Sequence, residues 1–420
     1  MRPTVIRRKD CRLCASFNLK LVLPLAAAPL VDAYVKKEKL GEEQPRFPLD
    51  LFLCLDCGFA QLLDDVDPEI LYRDYLYETK SSLGLPEHFG RYAADVIERI
   101  KPSPGTLVID IGSNDGTLLK FFKERGLKVL GIDPAREIAA TATAEGIETL
   151  PDFFGAAYGK KLRVKRGPAT IVTANNFYAN FDNLVDLTEG VHALLGPDGV
   201  FVFESSYAAD MISNMVFDFI YHEHLSYFSV KPVQKFFNRM GLELVDVQHT
   251  SPKGGSMRYT AQLAGGPRKV SAAVGEALAA EEKLGLHKPE TFKAWSEKIE
   301  ATKKELLSLI KGLKAEGKTV AAYGASATTT TLIYHFELYP LIEFLVDDYA
   351  WKQGKYSPGH HIPVLPSSAL YEKKPDYCLM AAWRYAEPII AKNRKYLNQG
   401  GQFIIPLPKV EIHGPKTAAR

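Results

Sequence analysis

The run Thr106-Leu107-Val108-Ile109-Asp110 passes straight into Ile111-Gly112-Ser113-Asn114-Asp115-Gly116 and then into a helix-forming stretch over 117–125. Strand, glycine-bearing turn and helix in that order form the repeating half of a parallel βαβ unit, and a chain that repeats it has to bury a sheet between helical layers. The repeat is present. A second strand at 129–132 ends on Asp133 and leads to a helix over 136–145. Further strands are expected at 170–173 and 200–204, the latter after a Gly-Pro-Asp-Gly turn at 196–199. A long Lys- and Glu-rich helical stretch at 270–314, read as a solvated connector or packing helix, precedes a second such pattern. That pattern has a strand at 319–323, the tight turn Gly324-Ala325-Ser326-Ala327, a helix at 328–339, and strands at 342–346 and 402–405. The expected fold class is α/β with two Rossmann-like units. Ligands in such sheets sit beyond the carboxyl ends of the strands, where Asp110 and Asp133 fall.

Ahead of both units stand two Cys-x-x-Cys pairs, Cys11 with Cys14 and Cys54 with Cys57, separated by 39 residues; Cys378 is isolated. Each pair can present two thiolates to one ion, so the two together complete a tetrahedral zinc site with no open position, which makes the metal structural. Two reduced buried pairs, or one redox pair, are the alternative. The apolar run at 19–35 is interrupted by Lys20, Pro24, Pro29 and Asp32, short of the ~20 apolar residues a membrane helix needs. With no apolar signal core at the start, a cytoplasmic location is expected. The 420 residues suit two or three domains, with divisions expected at 1–75, 76–265 and 266–420. Against 50 Asp and Glu, 52 Lys and Arg leave a net charge of +2, no broad field for nucleic acid or an anionic membrane. A small-molecule partner is expected, and a monomer is slightly favoured over an oligomer.

The turn after Asp110 is not GxGxxG, because its glycines are four apart and an acid comes first. A carboxylate at that place suits a cationic amino-acid moiety better than a diphosphate. Asp133, 23 residues on and at the end of the next strand, can accept from two ribose hydroxyls. Together they point to S-adenosylmethionine, with a nicotinamide cofactor as the alternative. The densest catalytic-looking cluster is Phe217-Asp218-Phe219-Ile220-Tyr221-His222-Glu223-His224. An extended segment would put His222 and His224 on one side and Tyr221 and Glu223 on the other. A general base with a carboxylate and a phenol nearby fits this set better than a metal, and structural histidines are the competing reading.

The cysteine pairs, VIDIGSNDGTLLKFF at 108–122, GIDPA at 131–135, FDFIYHEHLSYFS at 217–229, GGSMR at 254–258 and VDDYAWKQGKYSPGHHIPV at 346–364 occur in this order. The chain thereby resembles the S-adenosylmethionine-dependent C-methyltransferases of nucleotide-linked ketosugars in deoxysugar biosynthesis, over almost its whole length. The resemblance implies an N-terminal zinc-binding lobe, a central class I methyltransferase domain and a C-terminal Rossmann-like nucleotide-sugar domain. It implies that His224 removes the proton next to the ketone, that Tyr221 and Glu223 line that site with Tyr75, and that Asn176 sits near sugar and donor. Asp110, Gly112, Asn114, Asp133 and Asn175 would hold the donor, with Phe153 and Phe154 near adenine. The balanced charge speaks against a nucleic-acid or membrane partner.

The chain departs from that pattern at several points. Asn180 replaces a histidine expected after the Asn175-Asn176 pair, and an amide cannot shuttle protons. Thr328 and Thr329 replace the usual lysine and glycine after the 324–327 turn, and Phe219 stands where a threonine is common. A nicotinamide-dependent nucleotide-sugar oxidoreductase remains the second reading, though GxGxxG is absent. A non-catalytic or nucleic-acid-binding protein using the zinc lobe as a knuckle is the third, against which the balanced charge speaks.

Overall fold

Leu107–Ile111 carries apolar residues on both faces, the pattern of a strand covered from two sides, and only its first residue is not fully buried. It lies inside a seven-stranded sheet of the computed structural model, which describes residues 5–72, 78–81 and 84–415. Two compact units are formed. One comprises Met1–Lys20, Phe52–Asp210 and Leu225–Lys288, the other Leu21–Leu51, Met211–His224 and Pro289–Arg420.

In the first unit the strands lie in the order Leu242–Thr250, Ser256–Leu263, Leu195–Ser206, Ala169–Thr173, Leu107–Ile111, Lys128–Ile132, Thr149–Leu150. Pairing is parallel from Leu195–Ser206 to Thr149–Leu150, and Ser256–Leu263 runs antiparallel to both of its neighbours. Numbered along the chain, the order reads 3-2-1-4-5-7-6, the class I methyltransferase arrangement. It reverses between Leu107–Ile111 and Ala169–Thr173, and a crevice opens at such a switch point beyond the strands' carboxyl ends. In the second unit Val364–Leu365, Leu345–Val346, Val320–Tyr323, Tyr377–Met380 and Gln402–Ile405 pair in parallel, and Glu411–His413 closes the edge antiparallel. Cys378 is buried in this sheet.

Two expected helices come out differently. The stretch 270–314 is two helices, Ala272–Leu284 and Pro289–Ala315. Gly285, at φ 70°, takes the left-handed turn that ends the first, and Pro289 is preset for the first position of the second. The helix after the 324–327 turn, Ala327–His335, stops before position 339 because Glu337 turns left-handed at φ 56° ahead of Pro340. Among the described residues no helix is long and apolar enough to cross a membrane.

Ala272–Leu284 is a packing helix of the first unit. Its buried Glu281 meets the start of Val230–Arg239, whose own first residues supply no side-chain cap. The two carboxylate oxygens accept from the Val230 and Lys231 amides at 2.5 and 3.0 Å, and Tyr207 Oη–H adds a bond of 2.9 Å. An acid at a helix N-terminus both satisfies orphan amides and faces the positive end of the helix dipole. Glu281→Ala is therefore expected to lower stability by about 2–3 kcal/mol, through lost charged hydrogen bonds and stranded amides, measured by urea unfolding followed by circular dichroism.

Candidate active site and zinc centre

The two Cys-x-x-Cys segments fold as matching knuckles. In each, the residue after the second cysteine turns left-handed, Ala15 at φ 59° and Gly58 at φ 83°. Its amide returns to the first cysteine's carbonyl, Ala15 to Cys11 at 2.8 Å and Gly58 to Cys54 at 2.9 Å. The four Sγ atoms converge within 4.8 Å of one another, with Cys11–Cys57 at 3.6 Å and Cys14–Cys54 at 3.5 Å. These are the edges of a tetrahedron whose zinc–sulfur bonds of ~2.3 Å require spacings of about 3.8 Å, and they are far beyond a disulfide's ~2.0 Å. Arg12, buried between the first two ligands, ties the knuckle to the methyltransferase sheet's loops through Asp182 at 3.2 Å.

At the switch point the Asp110 carboxylate accepts from Thr173 Oγ1 at 2.6 Å. Burial pushes this carboxyl up to about 7; the threonine bond opposes the rise and the neighbouring Asp133 charge adds to it. Asp133 takes the Asn114 amide on one oxygen (2.8 Å) and the Ala135 amide on the other (2.9 Å), and burial still raises it above the usual carboxylate range. Gly112 sits at φ 73°, and a Cβ there would lie 2.2 Å from the Phe177 ring, so only glycine lets the turn pass. Asn114 uses its carbonyl oxygen on the Thr79 amide and hydroxyl.

The buried Asn175 amide has no hydrogen-bond partner on either polar atom among the described residues. The Tyr92 hydroxyl is near it but is directed to the Val202 carbonyl at 3.4 Å. An orphaned carboxamide two residues beyond the Thr173 that binds under-partnered Asp110 is what a polar ligand would complete, so the residues present fit S-adenosylmethionine. Phe154 packs inward with Tyr158 in the core, while Phe153 is half-buried. Asn176 is half-buried at φ 54° and donates its amide to the Glu204 carbonyl at 2.8 Å.

Sequence reasoning missed the partners of Glu204. This buried carboxylate lies 2.6 Å from His88 Nε2 and 3.0–3.1 Å from the Arg258 guanidinium, which also stacks 3.9 Å over the Tyr92 ring. Burial alone would push Glu204 up, but the His88 bond and the Arg258 charge hold it below its usual range. His88 gave no signal, being one polar residue in an amphipathic helix, whereas Arg258 ends the GGSMR motif.

In the second unit the segment 221–224 is a turn rather than an extended stretch, closed by the His224 amide on the Tyr221 carbonyl at 2.9 Å. The expected pairing of faces is therefore wrong. A turn of this kind brings positions three apart together, so Tyr221 Oη lies 3.1 Å from His224 Nε2 with ring centroids 4.1 Å apart. His222 is directed elsewhere, its Nε2 3.1 Å from the Phe47 carbonyl, and burial pushes it down to about 4. His224 Nδ1 faces the Phe219 carbonyl at 3.2 Å. A carbonyl only accepts, so Nδ1 carries a proton, and in the neutral ring Nε2 keeps its lone pair on the side of the tyrosine hydroxyl. Glu223 is buried in the same turn. Tyr75 lies outside the described residues.

Three family models match in succession: a zinc binding domain over 11–72, a methyltransferase domain over 86–247 and a C-methyltransferase C-terminal domain over 251–408. The chain is 33% identical over 404 residues to the C-methyltransferase NovU of Streptomyces niveus, covering 96% of each protein. Solved structures are similar at a distance. Magnesium protoporphyrin IX methyltransferase from Synechocystis PCC 6803 with bound SAM is 13% identical, over 44% of this chain and 81% of that one, with a TM-score of 0.34. An S-adenosylmethionine-dependent methyltransferase from Clostridium acetobutylicum ATCC 824 is also 13% identical, over 43% and 92%, with a TM-score of 0.34. The relative matched over nearly all of the chain and the succession of domain models decide between the methyl-donor and nicotinamide readings of the Asp110 turn. This chain belongs to the S-adenosylmethionine-dependent C-methyltransferases and carries a structural zinc site ahead of its methyltransferase domain.

Proposed function

We propose that the enzyme methylates the carbon adjacent to the ketone of a nucleotide-linked 4-keto deoxysugar, with dTDP or GDP as the nucleotide and His224 as the base. The observation that carries this reading is the hydrogen bonding of His224. With its proton held on Nδ1 by a carbonyl, the neutral imidazole keeps Nε2 unprotonated, the requirement for a general base. A carbon acid beside a ketone ionises readily only when the enolate oxygen meets a donor, and the Tyr221 hydroxyl at 3.1 Å from Nε2 is the group suited to that role. Glu223 and Asn176 would line the sugar, with Tyr75, and the C-terminal Rossmann-like unit would hold the nucleotide. Bound S-adenosylmethionine supplies the electrophilic methyl. In this reading Asp110 faces its cationic amino-acid end, Asp133 its ribose, Gly112, Asn114 and Asn175 line the turn, and of the two phenylalanines half-buried Phe153 is the better placed for adenine. A cytoplasmic location accords with four thiolates kept for metal.

The first test is calorimetry of the zinc-replete protein with S-adenosylhomocysteine and, in parallel, NADH. Saturable binding of the thioether alone is expected, and binding of NADH alone would sink the reading. An ionised Asp110 is the form that meets a cation, so with its carboxyl near 7 the thioether's affinity should rise with pH, about tenfold per unit below 7, and level off above it. Asp110→Asn should flatten that profile. His224→Ala should lower kcat about 100-fold or more while thioether binding stays within about twofold. Undiminished turnover by that variant on a confirmed substrate would falsify the assignment of the base. Metal analysis should find one zinc per chain, and stripping it with a strong chelator should lower the melting temperature, since structural zinc contributes folding energy directly.

A further inference from the structure

The turn that supports His224 is held by a group of residues to which no role has been assigned. The carboxylate of Asp218, fully buried in the second unit, accepts from Trp383 Nε1 at 2.9 Å and from the Arg384 guanidinium at 2.9 Å on each oxygen. Arg384 also donates to Thr328 Oγ1 at 3.0 Å and lies 4.9 Å over the Phe219 ring. On the other side of Phe219, the Ile220 carbonyl accepts from Thr331 Oγ1 at 2.8 Å. The peptide carbonyl of Phe219 is thus fixed from both neighbours, and it is the acceptor for His224 Nδ1–H. The Phe219 ring itself packs against the imidazole, with centroids 5.5 Å apart.

We infer that Asp218, Trp383 and Arg384 form a clamp that positions the Phe219 carbonyl and so holds His224 in the Nδ1–H tautomer, with Arg384 as the principal positioning residue. The inference rests on the reading of His224 as the base. An imidazole chooses its tautomer by the hydrogen bonds offered to each nitrogen, and a difference of about 1.4 kcal/mol between them is a tenfold ratio. A carbonyl free to swing away from Nδ1 withdraws that preference. The Tyr221 hydroxyl can then accept from Nε2–H instead of donating to it, because a hydroxyl serves in either role. The rate should fall in proportion to the fraction of competent tautomer that is lost.

The test is long-range proton–nitrogen correlation NMR on the full, zinc-replete chain carrying 15N-histidine, with His224 identified among the ten histidines by comparison with His224→Gln. Three samples are compared: the unaltered enzyme, Arg384→Gln, and Trp383→Phe, which removes only the indole donor. The unaltered enzyme should show Nδ1 protonated and Nε2 unprotonated. Arg384→Gln should show a mixture in which Nε2–H reaches about two-thirds to nine-tenths, with kcat down correspondingly about threefold to tenfold and the KM for the donor unchanged. Trp383→Phe should show a smaller shift in the same direction. Unchanged tautomer signals in both variants overturn the clamp, as does an unaltered enzyme with Nε2 protonated. Should Arg384→Gln not fold, Trp383→Phe decides. The spectra need no turnover, so the two ideas fail separately. A shifted tautomer together with a fully active His224→Gln would overturn the base and leave the clamp standing.

Discussion

A carboxylate removed from water must be met by donors or by a cation, and the architecture of this enzyme is arranged around that demand. Asp110, Asp133 and Glu204 are buried towards the carboxyl-terminal ends of three parallel strands of one sheet, Glu281 at a helix start and Asp218 in a short turn. Each is met differently. Glu281 has two helix amides and a tyrosine, Asp133 two loop amides, Glu204 a histidine and an arginine, and Asp218 an indole and an arginine. Asp110 has one threonine hydroxyl.

The completeness of those partnerships separates support from function. Glu204 is held below its usual range, as a well-paired acid should be, and Arg258 joins it to Tyr92 and the helix Leu85–Ile100. Asp110 is under-served and pushed up to about 7, which leaves it the acid with most to gain from a cationic ligand. The orphaned Asn175 amide lies close by in the chain's path, one residue beyond Ala174 and two beyond the Thr173 that touches Asp110. Unsatisfied polar atoms in a fold that otherwise satisfies its buried acids are where a ligand is expected.

Much of this was legible in the sequence because it is written in local signals. The strand-turn-helix around Gly112, Asp133 at the end of its strand and the two cysteine pairs are short-range patterns whose geometry follows from neighbouring residues. What could not be read were partnerships between distant positions. Nothing local in His88 announces Glu204, 116 residues away, and nothing in Arg384 announces Asp218, 166 residues earlier. The 221–224 error has the same origin. Alternation suggests an extended segment, but one backbone bond, His224 to Tyr221, turns it and pairs the phenol with the imidazole. The break in the 270–314 stretch was visible in principle, since Gly285 and Pro289 are helix-ending and helix-starting residues four positions apart.

Positions 219 and 328, where the resemblance led to an expected threonine and lysine, acquire a common physical meaning at Arg384. A lysine at position 328 could offer the guanidinium only another positive charge, whereas the Thr328 hydroxyl accepts a hydrogen bond from it at 3.0 Å. A threonine at position 219 has no aromatic face, whereas Phe219 presents its ring 4.9 Å beneath the same cation, a contact worth about 0.5–2 kcal/mol depending on burial. Phe219, Thr328 and Arg384 therefore form one consistent set, in which the positive charge near the His224 turn is carried by an arginine neutralised by buried Asp218. Changing one member alone would leave the others mismatched: a lysine at 328 would remove the hydroxyl acceptor and set a second positive charge beside the guanidinium, and a threonine at 219 would leave its face bare. The departures are in that sense coupled, and the coupling passes through the residue that holds the carbonyl under His224.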